Sequence, residues 1–160
     1  YDPFRKPEFE NLYTTLPKLI KQSDIITLHV PLTKKTHHLL NKTNLGTAHR
    51  GVMIVNTARG GLIDPEALLA GLDSGLISGA GLDVLEHEDV VQNHAAVLTE
   101  HAPPKLIRGS LMNNLIIDHP QVIVTPHNAF NSAEALNRII DTTVENIRAF
   151  VAGKIQNNVA

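Results

Sequence analysis

Four short apolar runs, each closed by polar or turn-forming residues, constrain the fold of this chain more than any other feature. They are SDIITLHVP (23–31), GVMIVNTA (51–58), ISGAGLDV (77–84) and QVIVTP (121–126). Their length and β-branched content are typical of strands buried on both faces of a sheet. Helical patterns separate them, and the order strand, helix, strand predicts parallel βαβ units. We therefore predict an α/β fold with a doubly wound parallel sheet.

Two of the intervening patterns are clear helix signals. Asp64, followed by proline and glutamate, predicts a helix start, because aspartate can cap free N–H groups and proline fits the first turn; this helix runs to Gly75. A long helix is predicted over 132–153, ended by Gly153. Its apolar stripe has helical spacing and consists of Leu136, Ile139, Ile140, Val144, Ile147, Phe150 and Val151. Residues 86–120 form a long connection, a kind that is commonly functional or inserted.

Composition excludes several classes of partner. The 160 residues suffice for one domain with a core, and the net charge of -2 without a basic block argues against nucleic acid and anionic membrane surfaces. No apolar run approaches the roughly 20 residues that cross a bilayer. The absence of cysteine excludes disulfides and thiolate metal sites and is compatible with a reducing cytoplasm. We expect a cytoplasmic protein with a small-molecule partner.

Polar residues follow all four predicted strands, at the edge where an open parallel sheet binds its ligands. These are His29, Asn56 to Arg59, Asp83 through Glu88, and His127. Arginine has a planar fork of donors that matches a carboxylate, so Arg59 would bind an acidic substrate and polarise its carbonyl. His127 is the natural proton donor and acceptor, and a hydrogen bond from its imidazole to the Glu88 carboxylate would favour the protonated imidazole.

Two further expectations concern the surroundings of this edge. Asp83 follows a strand rich in glycine and alanine and could accept a hydrogen bond from a cofactor amide. Gly60 and Gly61 are expected to let the backbone turn tightly toward Asp64. Partial burial of Arg59 would then be offset by an anionic substrate.

Three blocks of the sequence resemble the NAD-dependent D-isomer-specific 2-hydroxyacid dehydrogenases. They are SDIITLHVPLTKKTHHLLN, VNTARGGLIDPEALLAGLDSGLISGAGLDVLEHE and VIVTPHNAFNSAEAL, and they occur in the order of that family over nearly the whole chain. The resemblance implies a Rossmann-type dinucleotide-binding domain, NAD as cofactor, and hydride transfer between the nicotinamide and C2 of a 2-oxo acid. The long connection after DVLEHE and the run AFNSAEAL after TPHN are closer to the D-lactate dehydrogenase branch.

The resemblance also implies residue roles. Arg59, Glu88 and His127 match the substrate-binding arginine, the glutamate that pairs with the catalytic histidine, and that histidine. Asp2 matches the acidic residue that binds the adenosine ribose and favours NAD over NADP. The full cofactor-binding set is Asp2, His29, Val30, Pro31, Thr36, Thr57, Ala58, Arg59, Asp83 and His127, and the substrate set is Arg59, His127 and Phe130.

One part of the family pattern is expected to be absent. The glycine-rich phosphate loop should lie about 20 residues before the ribose aspartate, which here is the second residue. We therefore predict a sheet without its first βα unit, with 1–131 as a partial NAD-binding domain. Residues 132–160 are predicted as a C-terminal helix and tail returning toward a substrate domain. This chain alone is expected to be inactive, and the full-length protein is expected to be a homodimer.

Alternatives remain open for several residues. His29 fits a packed, hydrogen-bonded histidine better than an acid-base group, Glu86 competes with Glu88, and a capping role is enough to explain Asp64. His87, His94 and His101 recur every seven residues, which on a helix is roughly 10 Å and too far for one ion. No metal is expected.

Alternatives also remain open for the function. Other branches of the family act on glycerate, hydroxypyruvate, phosphoglycerate or formate and share the same core. A non-catalytic NAD-sensing module would keep the fold without the chemistry, although the joint presence of Arg59, Glu88 and His127 argues against it. A metal-binding module built on the histidine-rich connection is the third alternative.

Overall fold

The computed structural model describes residues 1–3, 5–86, 88 and 103–158. Contacts divide the chain into two compact units, Tyr1–Pro126 and His127–Ala160. The three histidines at seven-residue spacing, and with them most of the long connection up to residue 102, lie outside the described residues. Among the helices of the described residues, none combines the length and apolar character needed to cross a membrane.

The first unit is built on one parallel sheet of four strands. These are β1 (Ile25–Leu28), β2 (Val52–Asn56), β3 (Ile77–Leu82) and β4 (Val122–Val124). Each strand pairs in parallel with the next, in the order β1-β2-β3-β4. The four predicted strands and the α/β fold are confirmed.

One helix precedes the first strand of this unit, and three others connect the strands. They are α1 (Leu16–Gln22), α2 (Lys42–Leu45), α3 (Pro65–Asp73) and α4 (Pro104–Ile117), with short 3-10 turns at Pro7–Leu12 and Gly60–Leu62. Helix α3 begins as predicted, since the Asp64 carboxylate accepts a hydrogen bond from the Glu66 backbone N–H at 3.0 Å. It ends at Asp73, followed by Gly75 with φ +69°.

The core lies on one face of the sheet. Alternate strand residues such as Ile26 and Ile54 are buried there. They belong to one apolar cluster to which each of the four helices contributes at least one residue. The expectation that the strands are buried on both faces is wrong. Ile25, Met53 and Ile123 are 59%, 42% and 72% exposed, because successive side chains of a strand point to opposite faces and the described helices pack into the cluster on only one.

The second unit contains one long helix, α5 (Ala133–Val151). Ser132 caps it by accepting a hydrogen bond from the Ala135 backbone N–H at 3.2 Å, and Gly153 follows its end with φ +69°. These ends match the predicted helix. No residue of α5 is buried, so the whole apolar stripe is exposed.

Candidate functional site

The segments that follow β1 and β2 line an open groove of about 630 Å³. Leu28 and Asn56, the last residues of the two strands, are register partners, so both segments leave the sheet side by side. The groove is lined by His29, Val30, Pro31, Leu32, Thr57, Ala58 and Arg59, and we call it the β1–β2 groove. Its place at the carboxyl ends of parallel strands is the usual ligand-binding edge of an open α/β sheet.

A second open groove adjoins the first. It is lined by Leu32, His37, Arg59, Gly60, Gly61, Leu85, Glu86 and Glu88, and we call it the Arg59–Glu88 groove. Leu32 and Arg59 line both grooves. The structure thus brings two of the three predicted catalytic residues, Arg59 and Glu88, into one groove, and it places Arg59 where the two grooves meet.

The Arg59 side chain is exposed, not partly buried as expected. It extends from the rim of the sheet, and its Nη1 donates to the Ala58 carbonyl oxygen at 2.6 Å. Within the described part of the chain this is its one hydrogen bond, and a guanidinium has five N–H donors. The side chain therefore has donors left for a carboxylate in either groove.

Asn56 shapes the turn that carries Arg59. Its buried side chain donates from Nδ2 to the Arg59 carbonyl oxygen at 2.9 Å and accepts from the Ala58 backbone N–H at 3.1 Å. The sequence prediction grouped Asn56 with the polar strand ends but missed this anchoring role. An asparagine that closes a strand before a turn is the available signal, because its side chain mimics a backbone turn.

The expected tight turn toward Asp64 is present as the 3-10 turn Gly60–Leu62, but Gly60 is required there for a close backbone approach. The positive-φ glycines are Gly51, Gly75 and Gly153, so neither Gly60 nor Gly61 uses the conformational freedom assumed for it. A Cβ atom on Gly60 would instead overlap the peptide that joins Leu85 to Glu86. The two sides of the Arg59–Glu88 groove are therefore in direct backbone contact.

The two competing glutamates have different surroundings. The Glu86 carboxylate lies 3.1 Å from His37 Nε2 and 3.0 Å from His38 Nε2, with 16% of its side chain exposed. Glu88 is half-buried, and its Oε2 accepts a long hydrogen bond of 3.5 Å from the Leu85 backbone N–H. A structural role for Glu86 agrees with its two histidine contacts. Glu88 as the partner of the acid-base histidine stays a prediction.

Two predicted cofactor residues are buried. The Asp83 side chain accepts a hydrogen bond from Thr125 Oγ1 at 2.5 Å, and its backbone N–H donates to the Asn56 carbonyl oxygen at 2.9 Å. Thr36 donates from Oγ1 to the Pro31 carbonyl oxygen at 2.6 Å. Any contribution of Thr36 to the β1–β2 groove would therefore be to fix the loop that follows Pro31.

Asp2 and His29 line a pocket that adjoins the β1–β2 groove. Asp2 lines a pocket that also includes His29 and Val30, two residues of the groove itself. His29 is exposed, with Nε2 2.8 Å from Thr27 Oγ1. The expected hydrogen bond of His29 is confirmed, whereas its expected packing is wrong because β1 ends at Leu28 and His29 lies beyond the core.

His127 and Phe130 belong to the second compact unit. His127 directly follows Pro126 and has φ +53°, a conformation uncommon for residues other than glycine. Phe130 is 53% exposed. The contacts of both residues with cofactor and substrate remain predictions.

The chemistry of the β1–β2 groove fits a dinucleotide. Val30 and Pro31 give it apolar walls suited to a flat ring, and Thr57 adds a polar group beside them. The Asp2 carboxylate in the adjoining pocket can accept hydrogen bonds from ribose hydroxyls. The residues present are thus suited to NAD.

Known proteins of similar sequence belong to one family. Residues 1–129 match the D-isomer specific 2-hydroxyacid dehydrogenase, NAD binding domain. The glycerate dehydrogenase of Methylorubrum extorquens is 43% identical over 142 residues, covering 89% of this chain and 40% of the relative.

Solved structures of this family have the same fold. The pyruvate reductase of Chlamydomonas reinhardtii has a TM-score of 0.79 and 38% identity, over 99% of this chain and 47% of that one. The D-lactate dehydrogenase from Aquifex aeolicus complexed with NAD and lactic acid has a TM-score of 0.75 and 37% identity, over 96% and 45%.

The chain spans less than half the length of these relatives. The match nevertheless covers the strands, the β1–β2 groove and the Arg59–Glu88 groove, and it confirms the NAD prediction for the domain. The chain therefore belongs to the D-isomer specific 2-hydroxyacid dehydrogenase family, and residues 1–129 are the NAD-binding domain of that family.

Proposed function

We propose that this chain is the NAD-binding part of an oxidoreductase that transfers a hydride between NAD(H) and C2 of a D-2-hydroxy acid or 2-oxo acid. The observation that carries the proposal is that Arg59 lines both the β1–β2 groove and the Arg59–Glu88 groove. A substrate carboxylate on Arg59 would lie beside a cofactor in the first groove. NAD(H), when bound, accepts or supplies the hydride.

Arg59 has two tasks in this proposal. Its guanidinium binds the substrate carboxylate through paired N–H donors, which fixes the orientation of the C2 carbon. The same positive charge stabilises the negative charge that develops on the C2 oxygen, an interaction that strengthens in the transition state. The exposed side chain with its remaining donors supports both tasks.

His127 is the proposed acid-base group. In the direction of reduction it donates a proton to the C2 oxygen of the 2-oxo acid, and in the direction of oxidation it removes that proton. Glu88, by accepting a hydrogen bond from the imidazole, would orient His127 and favour its protonated form. The half-buried carboxylate in the groove of Arg59 supports this assignment.

We propose pyruvate and D-lactate as the substrate pair. The similarity to a pyruvate reductase and to a D-lactate dehydrogenase supports this choice. Hydroxypyruvate and D-glycerate are the second candidate pair, favoured by the 43% identity to a glycerate dehydrogenase. A homodimer in the cytoplasm is part of the same proposal, and the absence of cysteine is compatible with a reducing compartment.

The test is an assay of NADH oxidation with pyruvate, hydroxypyruvate and glyoxylate. Because the chain spans less than half the length of its relatives, it is joined to the remaining part of the Aquifex aeolicus enzyme. We expect turnover that is highest with pyruvate and that falls about 10²- to 10⁴-fold in His127→Gln. The chain alone is expected to show no turnover.

Other outcomes would change the proposal. Highest turnover with hydroxypyruvate would assign the glycerate branch. NADH binding without oxidation by any 2-oxo acid in the joined protein would support the NAD-sensing module instead. A control variant, His119→Gln, removes a histidine that pairs with Asp73 outside both grooves and should keep full activity.

A further inference from the structure

A cluster of two histidines and one glutamate lies beside the predicted catalytic residues. His37 Nε2 is 3.1 Å from Glu86 Oε1, and His38 Nε2 is 3.0 Å from Glu86 Oε2. One ligand atom from each of the three residues lies within 4.8 Å of the others. We propose that His37, His38 and Glu86 bind a divalent metal ion of the zinc class.

The backbone presents both imidazoles on one side of the chain. Consecutive residues of an extended chain point to opposite sides, so two neighbouring side chains can stack only where the chain turns. His38 provides this turn with φ +49°, and its backbone N–H donates to the Gly61 carbonyl oxygen at 2.8 Å. The two rings stack with their centres 3.9 Å apart. Their Nε2 atoms thereby reach the same carboxylate.

Glu86 is fixed in place before any ion binds. Its backbone carbonyl oxygen accepts a hydrogen bond of 2.8 Å from Nδ2 of the buried Asn113. The peptide between Leu85 and Glu86 packs directly on Gly60. A ligand held in this way loses little conformational freedom on binding, which favours the complex.

The distances suit zinc. Zinc is bound by histidine nitrogen and carboxylate oxygen at about 2.0–2.2 Å in a tetrahedral arrangement, which places neighbouring ligand atoms roughly 3.3 Å apart. The two N···O distances of 3.1 and 3.0 Å are close to this value. An ionised carboxylate only accepts, so the hydrogen bonds to Glu86 are donated from Nε2, and each Nε2 must give up its proton before an ion binds there.

The cluster also leaves access for an ion. His37 and His38 side chains are 50% and 33% exposed, and His37 and Glu86 line the Arg59–Glu88 groove. Three protein ligands leave one tetrahedral position for water or another small ligand. This proposal differs from the expectation of no metal. The sequence did not suggest the site, because two adjacent histidines and a glutamate almost fifty residues later form no recognisable ligand spacing.

The test is a zinc titration of the full chain in competition with a chelating dye. We expect one zinc ion per chain at this site. Loss of a residue that only supports a metal ligand weakens metal binding roughly 10- to 100-fold. His37→Gln and Glu86→Gln each remove a ligand and should weaken zinc binding by at least as much. Because the His37 side chain is half exposed, His37→Gln should keep the thermal unfolding midpoint, so a loss of binding in that variant does not reflect misfolding.

Two sets of controls separate this site from other histidines. His49→Gln and His119→Gln remove histidines that each pair with a single carboxylate, and both should bind zinc as the parent chain does. His94→Gln combined with His101→Gln tests the histidine-rich connection and should also leave the affinity unchanged. Three results would overturn the proposal. The chain could fail to bind zinc, its zinc affinity could be unchanged in both His37→Gln and Glu86→Gln, or the affinity could be lost only in the His94 and His101 variant.

Discussion

The Asn56 side chain bridges the turn to Arg59, donating to the carbonyl oxygen of the arginine from a fully buried position at the end of β2. The backbone of the arginine is therefore held from within the core, by a residue three positions earlier in the chain. This relationship connects strand packing to the proposed substrate-binding residue.

Replacing Asn56 should disturb both stability and the groove. Asn56→Ala removes two hydrogen bonds and leaves the Ala58 N–H without its partner, whereas the Arg59 carbonyl oxygen keeps its hydrogen bond from the Leu62 backbone N–H; we expect a cost of about 2 kcal/mol of unfolding free energy. Urea unfolding would measure this loss. Asn11→Ala, at an exposed position, is the matched control and should stay within about 0.5 kcal/mol. Equal effects of both substitutions would contradict the anchoring role.

Arg59→Gln should impair catalysis while sparing the fold. We expect kcat/KM for pyruvate in the joined enzyme to fall about 10²- to 10³-fold, because the charge that stabilises the C2 oxygen is lost. Arg59→Lys keeps the charge but not the planar fork and should recover only part of the activity. NADH binding, measured by fluorescence titration, should change little in either variant.

Arg50→Gln is the control for charge at another place in the fold, since Arg50 donates to the Ser74 carbonyl oxygen outside both grooves. It should keep the parent kcat/KM. An Arg59→Gln enzyme with full activity would exclude Arg59 as the substrate-binding group.

The adjacent glycines should respond differently to the same substitution. Gly60→Ala places a methyl group into the peptide between Leu85 and Glu86, where only a backbone shift can relieve the overlap, so we expect a loss of about 1–3 kcal/mol or more. Gly61→Ala brings its Cβ to 3.2 Å from the Leu32 side chain, which can rotate, and should cost less. Thermal unfolding of both variants tests this, and equal losses would refute the close approach as the cause.

Asp2→Asn should weaken NAD binding. Hydrogen bonds from ribose hydroxyls to a charged carboxylate are worth about 1.5–3 kcal/mol, which corresponds to roughly a 10- to 100-fold rise in Kd. NADP binding should weaken less, because a carboxylate disfavours the 2′-phosphate. Asp24→Asn, whose side chain is 96% exposed and lines neither groove, should bind NAD as before. An unchanged Kd in Asp2→Asn would remove Asp2 from the cofactor site.

The local pattern of the sequence was sufficient for the strands, the α3 cap at Asp64 and the long helix α5. Each of these depends on residues only a few positions apart, so periodicity and capping chemistry reveal them. The sequence did not reveal that only one face of the sheet is buried. The exposed face carries apolar residues such as Ile25 and Met53, so it resembles a buried face in composition.

The contacts that shape the site join distant parts of the chain and could not be inferred from spacing. Gly60 meets Leu85 and Glu86, and Glu86 meets the two histidines, over separations of 25 to 49 residues. Glycine at position 60 carries no sign of which backbone it approaches. The roles of Glu88 and His127 rest on side-chain chemistry at the strand ends and on the family resemblance, and the assays above test them.

The contact between Gly60 and the Leu85–Glu86 peptide has a consequence for redesign. A change that pushes either side of the Arg59–Glu88 groove inward would need a matching change on the other, because the two backbones touch and neither can move toward the other alone. Leu32 is 42% exposed and lines both grooves. Replacing its side chain can change the volume of the grooves without moving the backbone at Gly60.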